Sequence, residues 1–172
     1  LERLTQAMQG FVDEGKLAGV VTAAARDGKI FHFESVGQRD LASGDPMEND
    51  DLFRIYSMTK PITGVALMIL YEEGKFKLSD PVAMHIPEFT DLPVYAGMAD
   101  DGPMLTEPAD HPMPMREVMS HTGGLTLGLF SRSPVDDLYN EAAVLDHASN
   151  LQAMSDTTVK IPLRQQPGSL RH

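Results

Sequence analysis

The chain contains no cysteine, and it has far fewer basic than acidic residues. Without cysteine there is no disulfide and no thiolate chemistry, and the redox compartment cannot be inferred. Fourteen lysines and arginines stand against 25 aspartates and glutamates, which gives a formal net charge of -11. Nucleic acids and anionic membranes both attract basic surfaces, so the charge argues against either partner.

Long hydrophobic runs and metal-binding patterns are absent as well. The longest apolar run, Val65–Leu70, is far shorter than the roughly 20 residues that cross a bilayer as a helix, so no membrane span is predicted. The six histidines show no H-x-x-x-H or H-E-x-x-H spacing and have no cysteine partners. We therefore predict no metal site at these histidines: His32, His85, His111, His121, His147 and His172.

The composition is that of a globular protein, since 42% of the 172 residues are hydrophobic. That length suits one domain with a sizeable core. Helical spacing of apolar residues predicts a helix over Leu1–Leu17. Two β-rich runs, Val20–Arg26 and Lys29–Gly37, flank the dipeptide Asp27-Gly28, which is typical of a tight hairpin turn. Residues 1–50 are therefore predicted to form a helix and a hairpin, and only these two strands are convincing.

Residues 51–172 are predicted to be mainly helical. Ile62–Glu73 is apolar around most of its circumference, which indicates a helix buried on several sides. We expect Asp91–Pro114 to be a long surface loop, because it is rich in Pro, Gly, Asp and Met. A helix over Val135–Ser149 is expected to bury Leu138, Ala142 and Leu145. Shorter helices are expected from Leu78–Val82 to about Ile86, over Met115–Ser120, and from Leu151 to about Val159.

The chemistry-bearing candidate is the Ser-x-x-Lys formed by Ser57 and Lys60. Residues three apart on a helix lie on one face, and a neighbouring amine can activate a serine hydroxyl. Pro61 is tolerated only in a first helical turn, which predicts that the helix begins within a few residues of Ser57. Free N–H groups and the helix dipole would then stabilise negative charge on the serine oxygen. The alternative is an N-cap serine followed by a solvated lysine.

A second motif, His121-Thr122-Gly123-Gly124, has two interpretations. The histidine could belong to a functional site, or the motif could be a helix end with close backbone packing at its glycines. We favour the helix end.

Four segments in order resemble the serine β-lactamase and penicillin-binding-protein-like hydrolases, closest to the class-C-like carboxylesterases of family VIII. They are Phe53–Pro61, Leu78–Val82, Met119–Leu125 and Gln166–Gly168. The resemblance implies an α+β, β-lactamase-like fold in which an antiparallel sheet is flanked by helices. It implies Ser57 as the acylated nucleophile, Lys60 as its base partner, a small-molecule ester or amide substrate with short-chain esters favoured, and no cofactor.

Two other functions stay open beside ester cleavage. One is a β-lactamase or a D-alanyl-D-alanine peptidase, and the other is a non-catalytic fragment or binding protein that keeps the fold.

In the resembled family, an aromatic residue occupies the position of Arg171, and a catalytic tyrosine falls at the position after His172. A later strand of the family supplies an oxyanion donor. We therefore expect residues 1–172 to be the N-terminal portion of one domain: 1–50 the helix and hairpin, and 51–172 mainly the helical region. The rest of the same polypeptide is then the expected partner, and an exposed strand edge and apolar face are expected here.

Overall fold

The computed structural model describes residues 1–100, 102–129 and 133–169. The chain divides into two compact units, Leu1–Met58 and the remainder from Thr59 onward. The helices are α1 (Glu2–Asp13), α2 (Thr59–Glu72), α3 (Met115–Met119), α4 (Pro134–Glu141) and α5 (Leu151–Thr158). The strands are β1 (Gly19–Arg26), β2 (Lys29–Asp40), β3 (Asp45–Pro46), β4 (Val94–Met98) and β5 (Met104–Glu107).

The first unit is α1 followed by a three-stranded antiparallel sheet in the order β1-β2-β3. The hairpin turn is the predicted one, because Asp27 and Gly28 have φ angles of 50° and 73°. Two positive φ values in a two-residue loop match the right-handed twist of the flanking strands. Among the described residues, β1 pairs only with β2, so its other edge carries no strand.

The second unit opens with α2, which directly follows a 3-10 turn at Tyr56–Met58. This confirms the prediction from Pro61 that the regular helix begins close to Ser57. The predicted burial of the helix is wrong, since no residue of α2 is buried and the side chains of Ile62, Val65 and Ile69 are more than half exposed. The described residues place no packing surface over those sides of α2. No described helix is long and apolar enough to cross a membrane.

The prediction of a surface loop over Asp91–Pro114 is also wrong. This segment contains the antiparallel pair β4–β5 and contributes Leu92, Val94 and Met113 to a buried cluster with Val82 and Leu163. The Tyr95 N–H donates to the Leu163 carbonyl over 2.8 Å, and the Leu163 N–H donates to Pro93 over 2.8 Å. These bonds form a short parallel bridge between Val94 and Leu163, which are far apart in sequence. The β4–β5 pair, together with β3, gives the described chain more than the two strands predicted, and the bridge to Leu163 ties β4 to a distant part of the sequence.

The helix predicted over Val135–Ser149 ends early, at Glu141. Ala143 has a φ of 50°, a left-handed conformation that stops the helix. The buried stripe is therefore Val135 and Tyr139, which pack with Val144 and Ile161 in a second core cluster, while Leu145 is 41% exposed. The short helix expected before Ile86 is instead a pair of 3-10 turns, Val82–Met84 and Pro87–Phe89. α3 and α5 confirm the two other short helices to within two residues.

Candidate active site

Ser57 is the middle residue of the 3-10 turn Tyr56–Met58, and its side chain is exposed. The turn is closed by a hydrogen bond from the Met58 N–H to the Ile55 carbonyl, 2.9 Å long. Tyr56 has a φ of 43°, a left-handed conformation that a bulky residue rarely adopts. Such backbone strain persists only where the surroundings impose it, and it is concentrated at functional sites. The conformation of Tyr56 therefore marks the residue next to Ser57 as unusual.

Lys60 is the second residue of α2, one position before Pro61. The chain thus runs from the 3-10 turn holding Ser57 straight into the first helical turn holding Lys60. The first N–H groups of a helix have no intrahelical partner, and they carry the positive end of the helix dipole. Along the chain, Ser57 therefore comes two residues before the first residue of α2, close to the helix start that Pro61 predicted.

The segment that leads toward Ser57 is fixed to the first sheet by polar contacts. Arg39 on β2 donates to Asp51 over 3.1 Å and to Asp45 over 3.4 Å. The Glu48 N–H donates to the other Asp51 oxygen over 2.8 Å. The Glu48 amide, and then the Arg39 guanidinium, hold the pKa of Asp51 below its usual range. These contacts anchor residues 45–51, a few positions before the candidate nucleophile.

The His121 motif has the conformation of a helix end. α3 ends at Met119, and His121 follows its C-cap with a φ of 61°, while the Thr122 N–H donates to the Glu117 carbonyl over 2.8 Å. At Gly124, with a φ of 87°, a β-carbon would collide with the Gln165 carbonyl oxygen. Gly124 therefore permits close backbone packing, as the favoured interpretation expected, whereas a β-carbon at Gly123 would meet the side chain of Met113.

A polar network that the sequence did not reveal holds the Gln166–Gly168 turn. His111 Nε2 lies 3.2 Å from both carboxylate oxygens of the buried Glu117, which borders Gly168. Gln166 accepts from the Asp110 N–H over 2.9 Å and donates to Glu107 over 2.8 Å. In the sequence, His111 was a candidate only for metal binding, and no local pattern pairs it with Glu117. Arg171 and His172, on which the expected departure from the family depends, lie outside the described residues.

No cluster of potential metal ligands occurs in residues 1–100, 102–129 and 133–169.

Comparison with known proteins decides the family. The model of the family described as "Beta-lactamase" matches residues 4–172. The chain belongs to the β-lactamase family. It is 35% identical over 157 residues, 91% of its length, to an uncharacterised protein of Mycobacterium tuberculosis (strain CDC 1551 / Oshkosh). It is also 29% identical over 84% of its length to the esterase EstB of Burkholderia gladioli.

The fold agrees with that membership. The solved structure of EstCE1, described as a hydrolase with promiscuous acyltransferase activity, superposes with a TM-score of 0.80 at 26% identity and covers 99% of this chain. The chain therefore has the β-lactamase-like fold of helices and antiparallel sheet predicted from the sequence. It spans 38% of the length of the mycobacterial protein, 33% of EstB and 42% of the EstCE1 chain. These relatives place it in a β-lactamase-like hydrolase family that includes esterases.

Proposed function

We propose that this chain is part of a serine hydrolase that cleaves carboxylic esters with short acyl chains through an acyl-enzyme on Ser57. The observation that carries the proposal is the position of the Ser-x-x-Lys motif. Ser57 stands in the 3-10 turn and Lys60 in the first turn of α2, within a chain of a hydrolase family. EstB and EstCE1, described as an esterase and a hydrolase, favour esters as the substrate class.

The proposed chemistry is a two-step acyl transfer. The Lys60 amine takes the proton of the Ser57 hydroxyl as its oxygen attacks the ester carbonyl, and the oxyanion charge is held by N–H groups at the helix start. The alcohol leaves with a proton, so the acyl group remains bonded to Ser57 Oγ. Water then attacks this ester, releases the carboxylic acid and returns the proton to the serine oxygen.

We also propose that the rest of the same polypeptide completes the domain. The relatives are more than twice as long, and the apolar side chains of α2 and the outer edge of β1 are exposed. An apolar helix and an unpaired strand edge both call for a covering surface. The intact mass of the natural protein tests this part: a mass of 18.8 kDa with a cooperative monomeric melt would reject it.

The catalytic role is tested in the natural full-length protein by replacing Ser57 with alanine. We expect the kcat for p-nitrophenyl butyrate to fall roughly 10³-fold or more, and labelling by a serine-reactive phosphonate to disappear, because the nucleophile is gone. Ser43→Ala, at an exposed turn in the same unit, is the matched control and should keep both signals. Labelling that survives Ser57→Ala would reject the assignment.

Lys60 is tested separately with Lys60→Arg, which keeps a long basic side chain but stays protonated and so cannot act as the base. We expect both kcat and the labelling rate to fall while the melting temperature is retained, since arginine does not give up its proton. Nitrocefin, assayed beside the ester, distinguishes a β-lactamase from an esterase. A full-length protein that folds but turns over neither substrate and is not labelled would favour the non-catalytic alternative.

A further inference from the structure

The second unit contains a pocket of about 740 Å³ that includes neither Ser57 nor Lys60. This volume lies within the range of roughly 300–1,000 Å³ that small-molecule sites occupy in proteins. The buried side chains of Leu92, Met113 and Leu163 form its apolar floor. The other lining residues come from residues 81–93 and 106–112 and from Pro167.

The walls of the pocket are fixed by backbone hydrogen bonds. The Val82 N–H donates to the Met113 carbonyl over 2.8 Å, and the Leu163 N–H donates to Pro93 over 2.8 Å. The lining also includes five prolines, whose φ angles are fixed by their rings: Pro81, Pro93, Pro108, Pro112 and Pro167. A pre-formed wall lowers the ordering cost of binding, so this pocket is suited to a small ligand.

The charged lining residues are acidic, so they favour a positively charged ligand. Asp91 and Glu107 are the lining carboxylates, and no lining residue of the described pocket is a lysine or arginine. His111, the one histidine in the lining, lies against the carboxylate of Glu117. Asp91 is exposed and has a φ of 55°, a left-handed conformation that Asp and Asn adopt more readily than most residues. A cation is therefore attracted to this pocket, whereas a carboxylate ligand is repelled.

We propose that the pocket binds a small hydrophobic cation, with the chemistry of an arylalkylamine. The aromatic body lies on the floor formed by Leu92, Met113 and Leu163. The ammonium group lies near the carboxylates of Asp91 and Glu107. The lining includes no residue of the Ser-x-x-Lys segment, so binding here is a proposal separate from ester hydrolysis by Ser57.

Methionine methyl groups provide a direct test in the full-length protein. Met84 and Met113 line the pocket, whereas Met8 and Met154 do not. With ¹³C-methyl methionine, we expect 2-naphthylmethylamine to shift the Met84 and Met113 signals saturably, and those of Met8 and Met154 little. We expect 2-naphthoate, of similar size and opposite charge, to bind about tenfold more weakly, a difference of about 1.4 kcal/mol. Shifts that do not saturate, or that are equal at all four methionines, would overturn the proposal.

Two variants test the position and the charge of the site. Ala83→Phe fills the pocket and should abolish the saturable shift, whereas Ala148→Phe, at an exposed position outside it, should not. Asp91→Asn keeps the shape of the side chain, and asparagine also tolerates a positive φ, so this variant tests the charge of Asp91 alone. We expect it to reduce the tenfold preference for the amine to about twofold. Equal binding of amine and carboxylate to the unmodified protein, or a full preference in Asp91→Asn, would overturn the cation assignment.

Discussion

The carboxylate of Glu117 lies so close to Gly168 that a β-carbon on the glycine would be 3.0 Å from Oε1. Gly168 also has a φ of 79°, and its N–H donates to the Thr122 carbonyl over 2.7 Å. Glu117 is only 8% exposed, and His111 Nε2 lies 3.2 Å from its carboxylate. The Pro-Gly turn therefore requires glycine both for its backbone conformation and for the space beside a buried carboxylate.

The first prediction concerns Gly168→Ala. We expect a loss of about 2–3 kcal/mol in the free energy of unfolding, of which about 1–2 kcal/mol comes from an L residue at positive φ. Gly74→Ala is the matched control, because Gly74 has a φ of 70° with no atom within 4 Å of the position of a β-carbon. Urea unfolding of the two variants compares them, and equal losses would contradict a specific contact between Gly168 and Glu117.

The elements that could be predicted from the sequence are those fixed by neighbouring residues. Asp27-Gly28 contains the residue types that a tight hairpin requires, and Pro61 limits where α2 can begin. Both features act over a few residues, so no tertiary information is needed. The β4–β5 pair was missed because the many prolines and glycines of Asp91–Pro114 suggested a loop. The bridge from Val94 to Leu163, about 70 residues further along the chain, was missed as well, since local composition cannot reveal such a partner.

In the candidate site too, local features could be predicted from the sequence, whereas contacts made by the tertiary fold could not. Ser57 and Lys60 are three residues apart, so helical spacing predicts one shared face, although the structure places Ser57 in a 3-10 turn and only Lys60 in α2. The pairs His111–Glu117 and Asp110–Gln166 are brought together by the tertiary fold, and neither pair has a sequence signature. The burial of α2 was predicted from its apolar circumference alone. Apolar composition indicates that a surface needs covering, but it does not supply the residues that cover it.

The second prediction concerns Asp136, the buried carboxylate at the start of α4. It accepts hydrogen bonds from the Ser133 N–H over 2.9 Å and the Ser133 hydroxyl over 2.7 Å, and another from the Thr126 hydroxyl. Asp136→Asn removes the charge and turns an NH₂ group toward these donors. We expect unfolding in urea to show a loss of about 2–3 kcal/mol, because buried hydrogen bonds to a charged acceptor are each worth about 1.5–3 kcal/mol.

Asp137 provides the control for that substitution. It lies in the same first turn of α4 but is exposed. Asp137→Asn should therefore change the free energy of unfolding by only about 0.5 kcal/mol. If the two variants were equally stable, the hydrogen bonds of Asp136 would contribute nothing beyond a general preference for negative charge at the helix start.

The third prediction concerns the pH dependence that Tyr139 confers. Its side chain is 4% exposed, and burial, together with the charge of Asp136, raises the pKa of Tyr139 to about 12, although the Thr126 backbone lowers it in part. The phenol of an unfolded chain ionises near pH 10. The folded state therefore binds more protons between about pH 10 and 12, and stability falls as the pH rises through that window. The full loss is about 2–3 kcal/mol, since each unit of pKa difference corresponds to about 1.4 kcal/mol.

Tyr139→Phe isolates this contribution. The Tyr139 hydroxyl is buried and has no partner at hydrogen-bonding geometry within the described part of the chain. Removing it should therefore cost little at pH 7, because the Thr126 backbone, although near enough to affect the pKa, is not at hydrogen-bonding geometry, and no buried donor is left unsatisfied. Urea unfolding at pH 8 and at successive steps up to pH 11.5 compares the two proteins. We expect the stability of the unmodified protein to decline more steeply than that of Tyr139→Phe above pH 10. Parallel curves would show that Tyr139 ionises at the same pH in the folded and unfolded states.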